Sequence, residues 1–333
     1  MSKAASDGIL SAIGGTALIE LRQVVPSDAG RVFVKVESSN PTGSMKDRMA
    51  LAGVEAAESE GQLATGQPVV EYTGGSTGTS LALVCAAKRH PLFIVYSDAF
   101  SDDKAGHMAA LGARITMVRS QGLGITERLI KTMIETARRI GEREGAWWFD
   151  QLRNEACGRG FEQMGKEIWT DTGGRIDAFV HSVGTAHSTM GVSRALRRHT
   201  TGPLIVAVEP EESPILSQGR TGAHHIEGIG IGFVPPLWDR SLVDEIDAVS
   251  TEEAMLMARR LAAEEALFAG TSTGANVVAA NRLARRLGPG STTVTIAVDA
   301  GAKYLSTDLF GAPGSRRVEQ WVELAEEPDP AGS

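Results

Sequence analysis

Residues 69–96 read VVEYTGGSTGTSLALVCAAKRHPLFIVY. An apolar run, a glycine-rich turn, a helical pattern over Thr77–Arg89 and a second apolar run at 92–96 spell strand, loop, helix, strand. A helix-length connection is too long for a hairpin, so the two strands are parallel and form a βαβ unit. Both strands are apolar almost throughout, as in a sheet covered on both faces. The alternation extends outward: VFVKV at 32–36, a helix from about Met45 to Glu60, RITMV at 114–118, AFVHSV at 178–183, LIVAVE at 204–209 and TVTIAV at 293–298. The fold class is α/β, and 333 residues suit two domains, with the mixed aromatic and polar stretch Trp147–Arg159 as a crossover between sheets.

The bulk composition narrows the function. With 42% hydrophobic and 22% charged residues the chain is globular. Cys85 and Cys157 are its only cysteines; no disulfide framework and no metal site is expected, and a reducing compartment suits the count. A net charge of −8 argues against a nucleic-acid surface. The basic residues of Arg194–Arg198 are interleaved with apolar positions, as on the solvated face of a helix. The N-terminal MSKAASDGILSAIGG holds no signal-peptide core, and no segment approaches ~18 uninterrupted apolar residues. The expectation is a soluble, cytoplasmic protein with no membrane contact and a frayed tail, EEPDPAGS.

Three Gly/Ser/Thr-rich segments are expected at strand ends: TGGSTG at 73–78, VGTAHST at 183–189 and AGTSTG at 269–274. Loops at the carboxyl ends of parallel strands bind ligands in open α/β sheets, because helix N-termini there present unpaired N–H groups. Three of them suggest one shared site. A fourth stretch, SSNPTGSMKDR at 38–48, makes a turn at Pro41 and Gly43 and then starts a helix, which puts Lys46 in its first turn. The positive end of the helix dipole disfavours an ammonium there and favours the neutral amine that attacks an aldehyde. By itself the pattern equally describes a surface lysine.

SSNPTGSMKDR resembles the segment that carries the Schiff-base lysine in the cysteine synthase / cystathionine β-synthase family, the O-acetylserine sulfhydrylase-like pyridoxal-phosphate enzymes of fold type II. Similarity continues through GGTALIEL (14–21), EYTGGSTGTSLA (71–82), GKEIW (165–169), HIEGIGIGFVP (225–235), EEALFAGTSTGAN (264–276) and DAGAKYLST (299–307). The resemblance implies two open twisted α/β domains, tryptophan synthase β-like, with pyridoxal 5'-phosphate in the cleft between them. Residues 1–17 and 41–152 would form the smaller N-terminal domain that closes on substrate, and 18–40 and 153–333 the larger cofactor-binding domain. It assigns Lys46 as the cofactor anchor and catalytic base; Thr73, Gly74, Gly75, Ser76, Thr77 and Gln151 to the substrate carboxylate; Gly184, Thr185, Ala186, His187 and Ser188 to the cofactor phosphate; Ser272 to the pyridine nitrogen; and Gly228 and Gly230 to the substrate-facing turn. The implied reaction is β-elimination from a β-substituted L-serine of the O-acetylserine or O-phosphoserine type to an aminoacrylate, followed by addition of sulfide or another small nucleophile. A homodimer and a serine acetyltransferase-like partner come with the resemblance.

Two loops depart from the family pattern. Gly74 replaces a serine, and Ser76 replaces the asparagine that bonds the cofactor's ring oxygen. Ala186 and His187 stand where the phosphate loop has glycines; if those positions require φ > 0, each side chain costs about 1–2 kcal/mol. His187 would either lend a ring N–H to the phosphate or an incoming anion, or pack beside the loop. Gly74–Gly78 and Gly270–Gly274 fit the GxSxG nucleophile pattern, yet no histidine follows Ser272 and nothing marks a base for Ser76. Gly228-Ile-Gly230-Ile-Gly232 is followed by Phe233-Val-Pro-Pro rather than a helix, so it is not a dinucleotide fingerprint. A serine/threonine dehydratase and a non-catalytic binding protein on the same fold are the remaining alternatives.

Overall fold

The structure is a computed structural model that describes residues 8–122, 126–199 and 202–311; the tail EEPDPAGS lies outside the described residues. In chain order the elements are β1 (Leu18–Leu21), β2 (Arg31–Val36), α1 (Lys46–Ser59), β3 (Val69–Tyr72), α2 (Ser76–Lys88), β4 (Leu92–Ser97), α3 (Asp102–Ala110), β5 (Arg114–Val118), α4 (Glu127–Glu144), β6 (Trp147–Trp148), α5 (Gly158–Asp171), β7 (Ala178–Ser182), α6 (His187–Leu196), β8 (Leu204–Pro210), α7 (Ile215–Gln218), β9 (Glu245–Val249), α8 (Thr251–Glu264), α9 (Thr271–Leu287) and β10 (Thr292–Ala297). The strands form a four-stranded sheet, β5-β4-β3-β6, and a six-stranded sheet, β1-β2-β10-β7-β8-β9. Every pairing is parallel except β1 with β2.

The α/β class and the two helix-flanked sheets are as expected. Strands β1, β6 and β9 were not anticipated. Strand β9 reads Glu-Ile-Asp-Ala-Val and is half-buried at a sheet edge, so its charges mask it. Strand β6 has two residues.

The period-2 alternation of a strand distributes its side chains to opposite faces, and both faces are covered. On the small sheet Val69 and Ile94 join Met49 and Val54 of α1 and Leu81 and Val84 of α2. Val70, Phe93 and Val95 face Leu129, Met133, Ala137 and Ile140 of α4 instead. On the large sheet Phe179, Ile205 and Ile296 pack with Phe161, Met164 and Ile168 of α5, while Val180, Val206 and Val34 meet Leu261 of α8 and Val277 and Leu283 of α9.

Helices α1 and α5 join the two halves at backbone contact. A Cβ at Gly160 would lie 2.4 Å from the Arg48 carbonyl oxygen. The Arg48 side chain is buried between two carboxylates. Its Nε and Nη2 donate to Glu37 at 2.7 and 2.8 Å, and its Nη1 and Nη2 donate to Glu167 at 2.8 and 2.7 Å. Thr16 and Asn40 add donors to Glu37 at 2.6 and 2.7 Å, and the buried Lys35 pairs with Glu167 at 3.1 Å and Asp171 at 2.8 Å.

Removing one partner of such a network leaves a buried charge uncompensated. Arg48→Ala should therefore lower stability by about 3–5 kcal/mol in urea unfolding at neutral pH, and Arg48→Lys should not restore it, because an ammonium cannot bind two carboxylates as a planar fork. Burial alone raises the Glu167 carboxyl, but the hydrogen bonds and charge of Arg48, and then Lys35, hold it below the usual range. Its contribution is present above the unfolded pKa and lost as pH falls through the lower folded value. The acid limb of the stability profile should flatten in the Arg48→Ala protein.

Candidate active site

The carboxyl ends of the parallel strands of both sheets face one cleft. Loop 73–75 joins β3 to α2, and loop 183–186 joins β7 to α6. The third segment differs from expectation: Ala269 and Gly270 follow α8, not a strand, and reach the cleft through a single bridge between Ala269 and Ala300 at the end of β10. The turn before Lys46 is fastened to the same place. Ser44 bridges Asp299, Met45 N–H donates to Val298 O at 2.9 Å, and Ala300 N–H donates to Gly43 O at 2.9 Å.

Lys46 is the first residue of α1. The residue is half-buried, with its amine set deep among protein atoms and 6.0 Å from the Phe161 ring centre. Burial lowers its pKa to about 8, against an opposing pull from Asp299 and Cys157.

Loop 73–77 is shaped by its first residue. Thr73 Oγ1 accepts from the N–H groups of Gly75 and Gly78 at 2.9 and 3.2 Å. Gly75 sits at φ +134°, and a Cβ there would lie 2.2 Å from Lys104 Cδ, so only glycine fits. A Cβ on Gly74 would meet the Phe100 ring at 3.0 Å; the absent serine is matched by an aromatic neighbour. Thr77 Oγ1 donates to Gln151 Oε1 at 2.8 Å, and Gln151 Nε2 donates to Tyr72 O at 2.7 Å. The backbone N–H of Gln151 donates to Glu71 at 3.1 Å, whose carboxyl is pushed up by burial to about 8. The structure therefore brings Gln151 against loop 73–77.

In loop 184–188, Ala186 adopts the left-handed conformation at φ +71°, so the backbone shape that favours glycine persists with a side chain in it. His187 is the first residue of α6 and needs no such conformation. The hydrogen bonds assign both histidine tautomers. Ser182 N–H donates to Asn276 Oδ1 at 2.8 Å, which leaves Asn276 Nδ2 as donor to His181 Nδ1 at 3.2 Å. His181 therefore carries its proton on Nε2 and donates to Ser188 Oγ at 2.9 Å, freeing the Ser188 hydroxyl to donate to a ligand. Burial holds His181 neutral, at a pKa of about 3.

His187 Nε2 faces the carbonyl of Asn154 at 3.0 Å and must donate to it, so Nδ1 accepts from Thr185 Oγ1 at 3.0 Å. Burial lowers His187 to about 4. Both ring nitrogens of His187 are engaged by protein, which favours packing of the ring beside the loop over a ring N–H to the phosphate. Gly184 backs onto the Gly228 turn, where a Cβ would fall 2.3 Å from the Gly228 carbonyl oxygen. Ser272 is buried in the first turn of α9. Its neighbours are fixed, Thr271 Oγ1 accepting from Glu227 N–H at 3.1 Å and Thr273 Oγ1 from Val298 N–H at 2.9 Å.

Four further residues converge on the cleft, three of them inside the family-like segments at 225–235 and 299–307 but given no role there. Asp299 is buried at the end of β10; it accepts from Tyr304 OH at 2.7 Å and Ser76 Oγ at 3.4 Å, and burial raises its carboxyl above the usual range. The buried Lys104 of α3 packs its stem on Gly75, pairs with Glu227, and holds its ammonium 4.6 Å from the Tyr304 ring centre.

The pyridoxal-phosphate dependent enzyme family model matches residues 9–299. The chain belongs to this family. It is 38% identical over 312 residues, 93% of this chain and 99% of the relative, to a cysteine synthase of Staphylococcus aureus. Among solved structures it is similar to O-ureido-L-serine synthase (34% identity, TM-score 0.87, 94% of this chain and 97% of that one) and to a cysteine synthase from Entamoeba histolytica (33%, 0.86, 92% and 91%). The fold is thus the fold type II of pyridoxal-phosphate enzymes, and the cofactor is pyridoxal phosphate. The chemistry of the cleft is compatible with that group: it holds a lysine amine of lowered pKa, a helix N-terminus with a freed serine hydroxyl, and a buried serine. Among the described residues no group of acids, histidines or cysteines is arranged to hold a metal ion, and no helix is long and apolar enough to cross a membrane.

Because the folded pKa of Lys46 lies below that of the unfolded chain, the unfolded state keeps a proton between about pH 8 and the ordinary lysine value that the folded state has lost. The cofactor-free protein should gain stability as pH rises through that window, and Lys46→Met should abolish the gain; urea midpoints at successive pH values measure it.

Proposed function

We propose that this chain replaces the β-substituent of an O-acetylserine- or O-phosphoserine-type L-serine with sulfide or another small nucleophile, as a cysteine synthase does. The reading is carried by the full-length likeness to cysteine synthases, and the lowered pKa of Lys46 supports it. Pyridoxal phosphate, when bound, supplies a conjugated ring that draws electrons from the substrate's α-carbon.

Lys46 would hold the cofactor covalently and, once displaced, takes the α-proton with the same amine. Thr73, Gly74, Gly75, Ser76, Thr77 and Gln151 bind the substrate carboxylate, with N–H groups at the start of α2 as donors. Gly184, Thr185, Ala186, His187 and Ser188 receive the phosphate. Ser272 faces the pyridine nitrogen with a hydroxyl, which leaves the ring a weaker electron sink than a carboxylate would and favours loss of a β-leaving group. Gly228 leaves room beside the reacting carbons.

Residues 1–17 and 41–152 would act as the domain that closes on 18–40 and 153–333, excluding water. The pairing of β1 and β2 into the six-stranded sheet supports that division, and the Lys104–Glu227 and Ser76–Asp299 contacts supply its seam. A cytoplasmic homodimer belongs to the same proposal; the two cysteines are free and buried, which suits a reducing compartment.

The purified protein should form cysteine from O-acetylserine and sulfide. Pyruvate released at the same rate without sulfide would replace the reading with a dehydratase, and a bound cofactor with no turnover would replace it with a binding protein. Lys46→Ala should lose the visible absorbance of the lysine-bound cofactor. Ser188→Ala should weaken cofactor binding about tenfold, as expected for one lost hydrogen bond to an anion, read by titrating the cofactor-free protein with pyridoxal phosphate.

A further inference from the structure

We propose that His187 is a positioning residue that serves both segments at once: its Nδ1 holds Thr185 of the loop at 184–188 and its Nε2 holds the turn that carries Gln151, so that one side chain supports phosphate recognition through one bond and carboxylate recognition through the other. The proposal rests on the assignment above of those two segments to the cofactor phosphate and the substrate carboxylate.

Two hydrogen bonds of one ring make the connection, and the backbone of the 150–154 turn carries it on to Gln151. Thr185 Oγ1 donates to His187 Nδ1 at 3.0 Å, and His187 Nε2 donates to the Asn154 carbonyl at 3.0 Å. Asn154 closes its own turn twice over, its N–H donating to Asp150 O at 2.9 Å and its side-chain amide to Phe149 O at 3.1 Å. Gln151 lies inside that turn and receives Thr77 Oγ1 at 2.8 Å. One imidazole therefore stands between a residue of one ligand loop and the segment that contacts the other. A glycine at 187 could make neither bond.

The arrangement needs a neutral ring of one tautomer, since the carbonyl accepts only and the hydroxyl donates to the remaining nitrogen. Burial keeps the ring neutral, and the positive charges of Lys46 and Arg194 oppose its protonation further. A hydrogen bond from the ring to a phosphate oxygen would break one of the two ties. The link is the alternative that leaves both made.

The two ties are separable by amide side chains. In His187→Asn the amide oxygen falls near the place of Nδ1 and keeps the Thr185 tie; in His187→Gln the amide nitrogen falls near the place of Nε2 and keeps the Asn154 tie. Two quantities decide the outcome, the dissociation constant of pyridoxal phosphate from the cofactor-free protein and the KM for O-acetylserine in the loaded enzyme, with kcat measured as the control. His187→Gly should raise the cofactor dissociation constant and the KM each about tenfold, one hydrogen bond's worth, with kcat within about twofold. His187→Asn should restore cofactor binding and leave KM raised, and His187→Gln should do the reverse.

Glycine, asparagine and glutamine variants that all match the wild type, or that all lose both quantities equally, would overturn the link; the second result would mean that the ring only fills space. A wild-type protein that binds pyridoxal as tightly as pyridoxal phosphate would instead overturn the phosphate assignment itself, a result independent of what the variants do.

Discussion

The guanidinium of Arg48, closed between Glu37 and Glu167, is the interaction on which the cleft depends. It sits two residues after Lys46, on the helix that Lys46 begins, and its partners come from the end of β2 and from α5. Helix α1 packs on the small sheet through Met49 and Val54, so the ion pairs fix an element of one half against the frame of the other. A buried charge pair is a poor source of net stability. What it provides is direction: a planar fork satisfied on both sides admits one orientation of the helix, and so one position for the amine at its start.

Around that fixed amine the protein controls where protons sit. Burial moves Lys46 toward its neutral form and raises Asp299 and Glu71 toward theirs. The two histidines beside the phosphate loop are neutral and single in tautomer, because an asparagine of settled orientation and a backbone carbonyl each dictate which nitrogen carries hydrogen. Desolvation does the work in all of these, acting on groups that share one cleft, and the hydrogen bonds decide which lone pairs remain for a ligand.

The sequence makes the scaffold legible because buried parallel strands are short apolar runs bounded by glycine-rich turns; β3, β5 and the helices after Met45 and Ser76 lie where the periodicity puts them. Strand β9 is not legible because it is an edge strand, only half-buried, whose Glu245 and Asp247 interrupt the apolar run. The same periodicity misplaced Ala269 and Gly270 after a strand, since a single bridge leaves no run of apolar residues to read. Of the site, Lys46 and the glycine turns are visible as motifs. Lys104 is not, and although Glu227, Asp299 and Tyr304 lie in segments that resemble the family, the contacts of Lys104 with Glu227 and of Ser76 with Asp299 span 123 and 223 residues of chain, which no local pattern shows. His187 stood out as a departure from glycine, but its partner is a backbone carbonyl 33 residues away, which no residue type announces.

Ala186 holds a left-handed backbone at the centre of loop 184–188, the proposed phosphate site. A glycine there would leave the loop free to sample many shapes in the absence of ligand. With a methyl group in its place, the strained conformation must be imposed by the packed surroundings, and Ala186 is almost wholly buried. The loop is consequently rigid before any anion arrives, and the entropy of arranging its N–H groups is lost when the chain folds rather than when the cofactor binds. Capture of the cofactor then resembles insertion into a finished mould, with the cost of the mould written into the stability of the empty protein.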